Sequence, residues 1–313
     1  KPWAANPGST PITITKANIG GSDLARHARN HLAWLKDRSD PEGKPYWDRS
    51  DPAAKRHSLV EMLQSGIWDY VTLQQFSGDS DKPGTYEPYS GQLLAAVREH
   101  APSARIIVHQ TWAYRVDHPL FFSSNPERQS AYERLRLAHS RDKVQRPAPI
   151  TQQQMHEGLR AAYDQLAVRH GLLMVPVADA FQLAGSLPEW RFKHPDPEFN
   201  YENPARGTRP KQPGSLIGGW YWHTDRNTGQ VSFALDAKHA NVAGKYLGAC
   251  VFFESLAGKD AREIRWRPDD LSEDKAESLR RVAHDAVVAR KKAGTFDFAR
   301  GTSAPAKAAV GTR

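Results

Sequence analysis

Residues 155–177 read MHEGLRAAYDQLAVRHGLLMVPV, and this stretch decides the fold. Met155, Leu159, Tyr163 and Leu166 recur at three- and four-residue spacing, which places them on one face of a helix. His170-Gly171 supplies its stop, with a basic residue in the last turn and then a glycine suited to the left-handed conformation that ends helices. Leu172-Leu-Met-Val-Pro-Val177 follows at once and reads as a strand. A helix feeding directly into a short apolar strand is the repeating unit of a parallel α/β sheet.

The same alternation extends outward. Ala104-Arg-Ile-Ile-Val108 predicts a strand that ends in His109-Gln-Thr-Trp-Ala-Tyr114, and Tyr70-Val-Thr-Leu73 predicts another. Tyr89–Glu99 lies between them and is helical in pattern, with Leu93, Leu94 and Val97 as its apolar positions. Near the front, the β-branched run Pro11–Ile19 predicts a strand entering a turn at Gly20-Gly21. Ser22 would then N-cap a helix with Leu24, Ala28, Leu32 and Leu35 on one face. Later, Ala240–Leu256 predicts a helix. So does Ser272–Ala293, where Glu273 and Asp274 in the first turn suit the helix dipole. Together these predict an α/β domain over residues 1–295, with a doubly wound parallel sheet and helices on both faces. Ligands in such folds sit at the carboxyl ends of the strands. The stretch 185–227 is rich in Pro, Gly and charge and reads as an insertion over the site. Residues 296–313 read as a disordered tail.

Composition narrows the function classes. Of 313 residues, 39% are hydrophobic, enough for a sizeable core. The net charge of +8 is spread among acids, and no zinc-finger, RRM-like or helix-turn-helix spacing occurs, so a nucleic-acid partner is not expected. No apolar run approaches the roughly 18 residues of a membrane span. Cys250 is the only cysteine and sits in an apolar run, which reads as core rather than as a nucleophile. His109 and His223 belong to no i,i+4 pair or carboxylate cluster, so neither a metal nor another cofactor is expected. Nine tryptophans are present, and Trp47, Trp112, Trp190, Trp220 and Trp222 lie in polar or Gly/Pro-rich surroundings, a hint of surfaces that stack on sugar rings.

The chemistry concentrates in Asp236-x-x-His239-x-Asn241-x-x-Gly244-x-Tyr246-Leu247. An Asp three residues before a His, on a loop entering a helix, can hold the imidazole Nδ1 and leave Nε2 to take a proton from a nucleophile. Three further elements precede it in order: Gly20-Gly-Ser-Asp-Leu24 with His27, Leu73-Gln-Gln-Phe-Ser77, and Thr111-Trp-Ala-Tyr114. With these four elements the chain resembles the SGNH/GDSL hydrolase superfamily, and within it a bacterial branch of uncharacterised SGNH-like proteins. The resemblance covers roughly residues 12–290.

That resemblance implies a three-layer, flavodoxin-like fold and a serine-type ester hydrolase, with removal of acetyl groups from carbohydrate as the expected activity. His239 would be the general base and Asp236 its orienting partner. The Gly21 backbone N–H would donate to the oxyanion, and the Gln75 (or Gln74) amide would stand where the family places an asparagine. Trp112, Tyr114, Trp220, Trp222 and His223 would wall a sugar subsite. The family's serine block has no clear counterpart here. Ser9 precedes the first expected strand, and Ser22 occupies the oxyanion turn, although its strand-turn-helix setting keeps it a candidate. The chain starts at Lys1 without a methionine, read as a processed product whose serine block lies upstream, and the compartment expected is extracytoplasmic. Two other functions suit the same residues: a hydrolase of glycosidic or sulfate ester bonds using the Asp/His pair, and a non-catalytic carbohydrate-binding protein.

Overall fold

The computed structural model describes residues 12–47, 54–139, 149–193 and 196–298. In chain order the elements are α1 (Leu24–Lys36), α2 (Leu59–Gln64), β1 (Tyr70–Leu73), α3 (Tyr89–His100), β2 (Arg105–His109), α4 (Ala131–His139) and α5 (Gln152–His170). They continue with β3 (Leu173–Val175), α6 (Val177–Ser186), β4 (Trp220–Thr224), β5 (Val231–Leu235), α7 (Val242–Ala257) and α8 (Glu273–Lys292). The class is α/β. The chain divides into two compact units: the first runs through Thr111 and adds Gly158–Val175 and the residues from Arg290 on, and the second comprises Trp112–Glu157 and Pro176–Ala289.

The first unit is built on a parallel sheet of order β1-β2-β3, with Val71 opposite Ile106 and Ile107 opposite Leu173. Ile106, Ile107 and Val108 of the central strand are all buried, as a parallel strand covered on both faces requires. Two of the flanking helices show their end signals plainly. Gly171 takes φ +62° after α5, and the Ser58/Glu61 pair closes a capping box at α2, with Glu61 N donating to Ser58 Oγ at 3.1 Å and Ser58 N to Glu61 Oε2 at 2.7 Å. Beyond α8, the chain comes back to β3: Met174 N donates to the Phe296 carbonyl at 2.8 Å, and Asp297 pairs with Arg105. Residues 296–298 of the expected tail are therefore held by hydrogen bonds, while 299–313 lie outside the described residues.

Two expectations at the front of the chain are corrected. Pro11 lies outside the described residues, and 12–19 form no strand; Ile12 and Ile14 are 51% and 74% exposed. β-branched residues favour a strand only where a neighbouring strand completes the ladder, and none among the described residues pairs with this run. The cap of α1 is Asp23, whose carboxylate accepts from Arg26 N at 2.8 Å, not Ser22. The helix buries Leu24, Ala28, His31 and Trp34 and leaves Leu32 and Leu35 exposed, so its inner face is rotated from the one the leucines suggest.

In the second unit, β4 and β5 form an antiparallel hairpin that the sequence reading placed partly inside an insertion. Its turn is set by Asp225, whose carboxylate accepts from Asn227 N and Thr228 N, both at 2.9 Å, and by Gly229 at φ +70°. One face of the hairpin packs Trp220, Phe233 and Leu235 into a cluster with Phe199, Tyr201 and Trp222. Trp190 is also buried, its indole N–H donating to Ser278 Oγ at 3.1 Å, so it is not a stacking surface. The apolar helix α7 is capped by Asn241, which accepts from Gly244 N at 3.0 Å. A Cβ at Gly244 would lie 2.1 Å from the Leu216 carbonyl, so only glycine allows residues 215–219 to lie against the helix start. Cys250 is buried in α7, as its apolar run predicts. Among the described residues, no helix is long and apolar enough to cross a membrane.

Candidate active site

The centre of the second unit's chemistry is the loop between β5 and α7. Asp236 is the first residue after the strand, and three residues later the chain has turned far enough to bring His239 back over it. The Asp236 Oδ2 to His239 Nδ1 distance is 2.8 Å, while Oδ1 accepts from the backbone N–H of Lys238 at 3.0 Å and of His239 at 2.9 Å. Partial burial pushes the Asp236 carboxyl upward, but these three donors outweigh it and hold it at about 2. Asp236 is thus a carboxylate across the neutral range and fixes Nδ1 as the protonated nitrogen. The His239 side chain is 72% exposed, and Nε2 has no partner among the described residues. The imidazole is therefore oriented by Asp236 with its other nitrogen open.

The loop is braced from several directions. Gly218 N donates to the His239 carbonyl at 2.8 Å, and Asp236 N donates to the Gly219 carbonyl at 3.0 Å, so residues 216–219 run alongside 236–241. A Cβ at Gly218 would meet Asp236 Cβ and O at 3.2 Å, which makes glycine the residue that lets Asp236 settle there. From the segment after β2, Trp112 Nε1 donates to the Lys238 carbonyl and Arg115 N to the Ala237 carbonyl, both at 2.9 Å. The Arg115 guanidinium also donates to the Gly218 carbonyl. Trp112 stacks on Phe181, with ring centroids 4.6 Å apart. Beside Asp236 opens a cavity of about 330 Å³ whose wall includes Arg115, Tyr132, Phe192, Trp220 and Tyr221.

The other expected site residues fall as follows. Gly21, Ser22, Gln74 and Gln75 belong to the first unit. Gly21 is exposed at φ +69° in the turn closed by Ser22 N donating to the Ile19 carbonyl at 3.2 Å, a conformation glycine takes without strain. Gln74 is exposed. Gln75 departs from its expected role. It is 1% exposed, its Oε1 accepts from Leu24 N at 3.0 Å and Phe76 N at 2.8 Å, and its Nε2 donates to Thr85 O and Oγ1, both at 3.0 Å. With its amide fully engaged, Gln75 is a clamp between the end of β1 and the start of α1 rather than a free donor. The Ser22 hydroxyl is shielded from solvent and makes no hydrogen bond among the described residues, a poor position for a nucleophile.

The sugar-wall expectation also changes. Tyr114 is 3% exposed and packs on His118, and Trp220 is 2% exposed with its ring stacked on Phe233. A sugar stacks on an open face, and these rings present theirs to other side chains. Trp112 acts on the site through the Lys238 carbonyl. Trp222 donates to the Thr208 carbonyl at 2.8 Å and packs against Phe233, while His223, half-buried, makes an edge contact with Tyr221. Sequence reasoning missed Arg115 and Gly218 altogether; Arg115 follows Tyr114 directly, so the Thr-Trp-Ala-Tyr element needed extending by one residue.

One further group has a ligand-like arrangement: Glu254, Asp260 and His284 bring an atom each within 4.8 Å of one another. Asp260 Oδ1 already accepts from Arg262 N at 2.8 Å and Nε at 3.0 Å, and Glu254 Oε2 accepts from Ala261 N at 2.9 Å. Those lone pairs are committed, and the cluster is a charge network tying α7 to α8.

A crystal structure of a DUF4886 family protein from Bacteroides uniformis is similar to this chain at a TM-score of 0.55, with 18% sequence identity, covering 86% of this chain and 81% of that one. At that identity the likeness is one of fold. No family model matches the chain, and no curated protein matches it.

Proposed function

We propose that this protein is a hydrolase of the SGNH type, on a flavodoxin-like α/β scaffold, that cleaves acyl esters of carbohydrates. The observation that carries the proposal is the Asp236–His239 pair, joined at 2.8 Å through Nδ1 with Nε2 open. In the proposed cycle a serine hydroxyl attacks the ester carbonyl and gives its proton to His239 Nε2. His239 returns that proton to the departing sugar oxygen, leaving an acyl-enzyme. Water, deprotonated by the same nitrogen, then releases the acid and restores the serine. Asp236 stays ionised throughout and stabilises the imidazolium.

A fluorophosphonate probe tests this directly on the full-length protein. Covalent labelling that requires His239, with the labelled peptide containing a serine, is the expected result and identifies the nucleophile. A second reading is favoured by one observation: no described hydroxyl bonds to His239 Nε2. In that reading the pair activates water against a glycosidic or sulfate ester bond. Hydrolysis of such a substrate, lost in His239→Ala and accompanied by no labelling, would decide for it.

A further inference from the structure

The wall of the cavity beside Asp236 holds more positive charge than its own residues neutralise. Behind it, two buried guanidiniums share a single buried carboxylate. Arg115 Nε lies 2.7 Å from Asp117 Oδ1, and Arg136 Nη2 lies 2.8 Å from Asp117 Oδ2. Tyr132 OH donates to the same Oδ2 at 3.0 Å, so that oxygen is crowded with donors. Arg136 is wholly buried, and its Nη1 has no hydrogen-bond partner among the described residues. Burial lowers the Arg136 guanidinium to about 10 despite the pull of Asp117, which leaves it charged at neutral pH. It stands 5.3 Å from the Trp220 ring and 5.6 Å from the Tyr132 ring, both part of the cavity wall.

The cavity's own ionic residues add to this. Its wall includes Arg115, Lys193 and Arg209 against one carboxylate, Asp236, which is already triply hydrogen-bonded. Lys193 and Arg209 are exposed, and neither has an ion pair or hydrogen bond among the described residues. The neutral amides do not compensate: Gln212 is spent on the backbone of Trp220, and Asn241 on Gly244 N and Ser215 O. The Arg115–Arg136 pair, buried over one carboxylate, is positive charge held away from water, unfavourable by itself and favourable once an anion faces it, and the exposed Lys193 and Arg209 add to its field.

We infer that this cavity receives an anionic group of the substrate, a carboxylate or phosphate carried on a body of about monosaccharide size. This deepens the hydrolase reading and rests on it for the reaction: the anion would be held on the Asp236 side while the scissile ester meets His239. Arg209 and Lys193 would contact the anion, and the Arg115–Asp117–Arg136 triad would supply the standing positive field behind it.

The test is isothermal titration of the full chain with glucuronate, glucose 6-phosphate and methyl glucoside. At least one anion should bind about tenfold or more tightly than methyl glucoside, with affinity falling as salt rises, and which anion is tighter separates carboxylate from phosphate. The double variant Lys193→Gln/Arg209→Gln, changed only at exposed positions, should lose about tenfold of that affinity. Equal binding of charged and neutral sugars, no detectable binding of either anion, or an unchanged double variant would each overturn the inference. The two proposals fail separately. Anion binding that persists in His239→Ala, with no ester turnover by the unmodified chain, rejects the hydrolase and keeps the cavity assignment. Ester turnover indifferent to substrate charge rejects the cavity assignment and keeps the hydrolase.

Discussion

The indole N–H of Trp112 donates to the Lys238 carbonyl at 2.9 Å, across 126 residues of chain. Trp112 therefore sets the path of the loop that carries Asp236 and His239, and it does so from the end of a segment that begins with β2. Trp112→Phe keeps the stack on Phe181 and removes only this bond. Stability should fall by about 1 kcal/mol, the usual net worth of a hydrogen bond. In the proposed mechanism turnover should fall further than that loss explains, by about tenfold, because His239 as base is displaced from its working geometry. Comparing kcat with thermal unfolding checks the pair.

Asp236→Asn preserves the shape of the site and removes its charge. The asparagine amide can hold the imidazole in the wrong tautomer, so ester hydrolysis should drop by about a thousandfold or more with little change in substrate KM. Steady-state kinetics on a chromogenic acetate ester measures it. A variant retaining most of its activity would remove Asp236 from the mechanism.

The same carboxyl predicts an acid-stability signature. Asp236 titrates at about 2 when folded and near 3.8 in the absence of structure. A depressed folded value means the stabilisation is complete above the unfolded value and is lost as pH falls through the folded one. Between pH 4 and pH 2 the unmodified protein should therefore lose about 2 kcal/mol that Asp236→Asn does not lose. Urea unfolding at a series of pH values makes the comparison, and parallel curves for the two proteins would contradict it.

Gly218→Ala places a methyl carbon 3.2 Å from Asp236 Cβ. Asp236 must give by a few tenths of an ångström, and its bond to His239 lengthens or tilts. Activity should fall by about tenfold while the unfolding midpoint moves by only a few degrees. A large loss of stability with the residual folded protein fully active would show that Gly218 serves the fold alone.

Gln75→Leu separates two roles. As the clamp described above, Gln75 leaves Leu24 N, Phe76 N and the Thr85 carbonyl without partners when removed, and stability should fall by about 2–4 kcal/mol. As an oxyanion donor, its loss would lower kcat at unchanged stability. Chemical denaturation beside kinetics on the same preparation distinguishes them.

What the sequence determined by itself is local. The Asp236–His239 contact spans three residues, so local turn geometry can bring the groups together, and Trp112, Arg115 and Gly218 then fix the path of the loop. The three parallel strands were legible because Ile106–Val108 and Leu173–Val175 are short apolar runs bounded by clear stops. The run at 12–19 is also rich in β-branched residues and forms no strand, because a strand requires a pairing partner that composition does not reveal. Tertiary structure decided everything that depends on which distant residues meet. It turned Gln75 from a donor into a clamp, because Leu24, Phe76 and Thr85 consume its amide. It buried Tyr114, expected at the site from its place after a strand, and Trp220, whose polar sequence neighbours suggest exposure. It also joined Arg115 and Arg136 over Asp117, a pairing of 2 and 19 residues' separation whose uncompensated charge becomes costly only when all three lose contact with water.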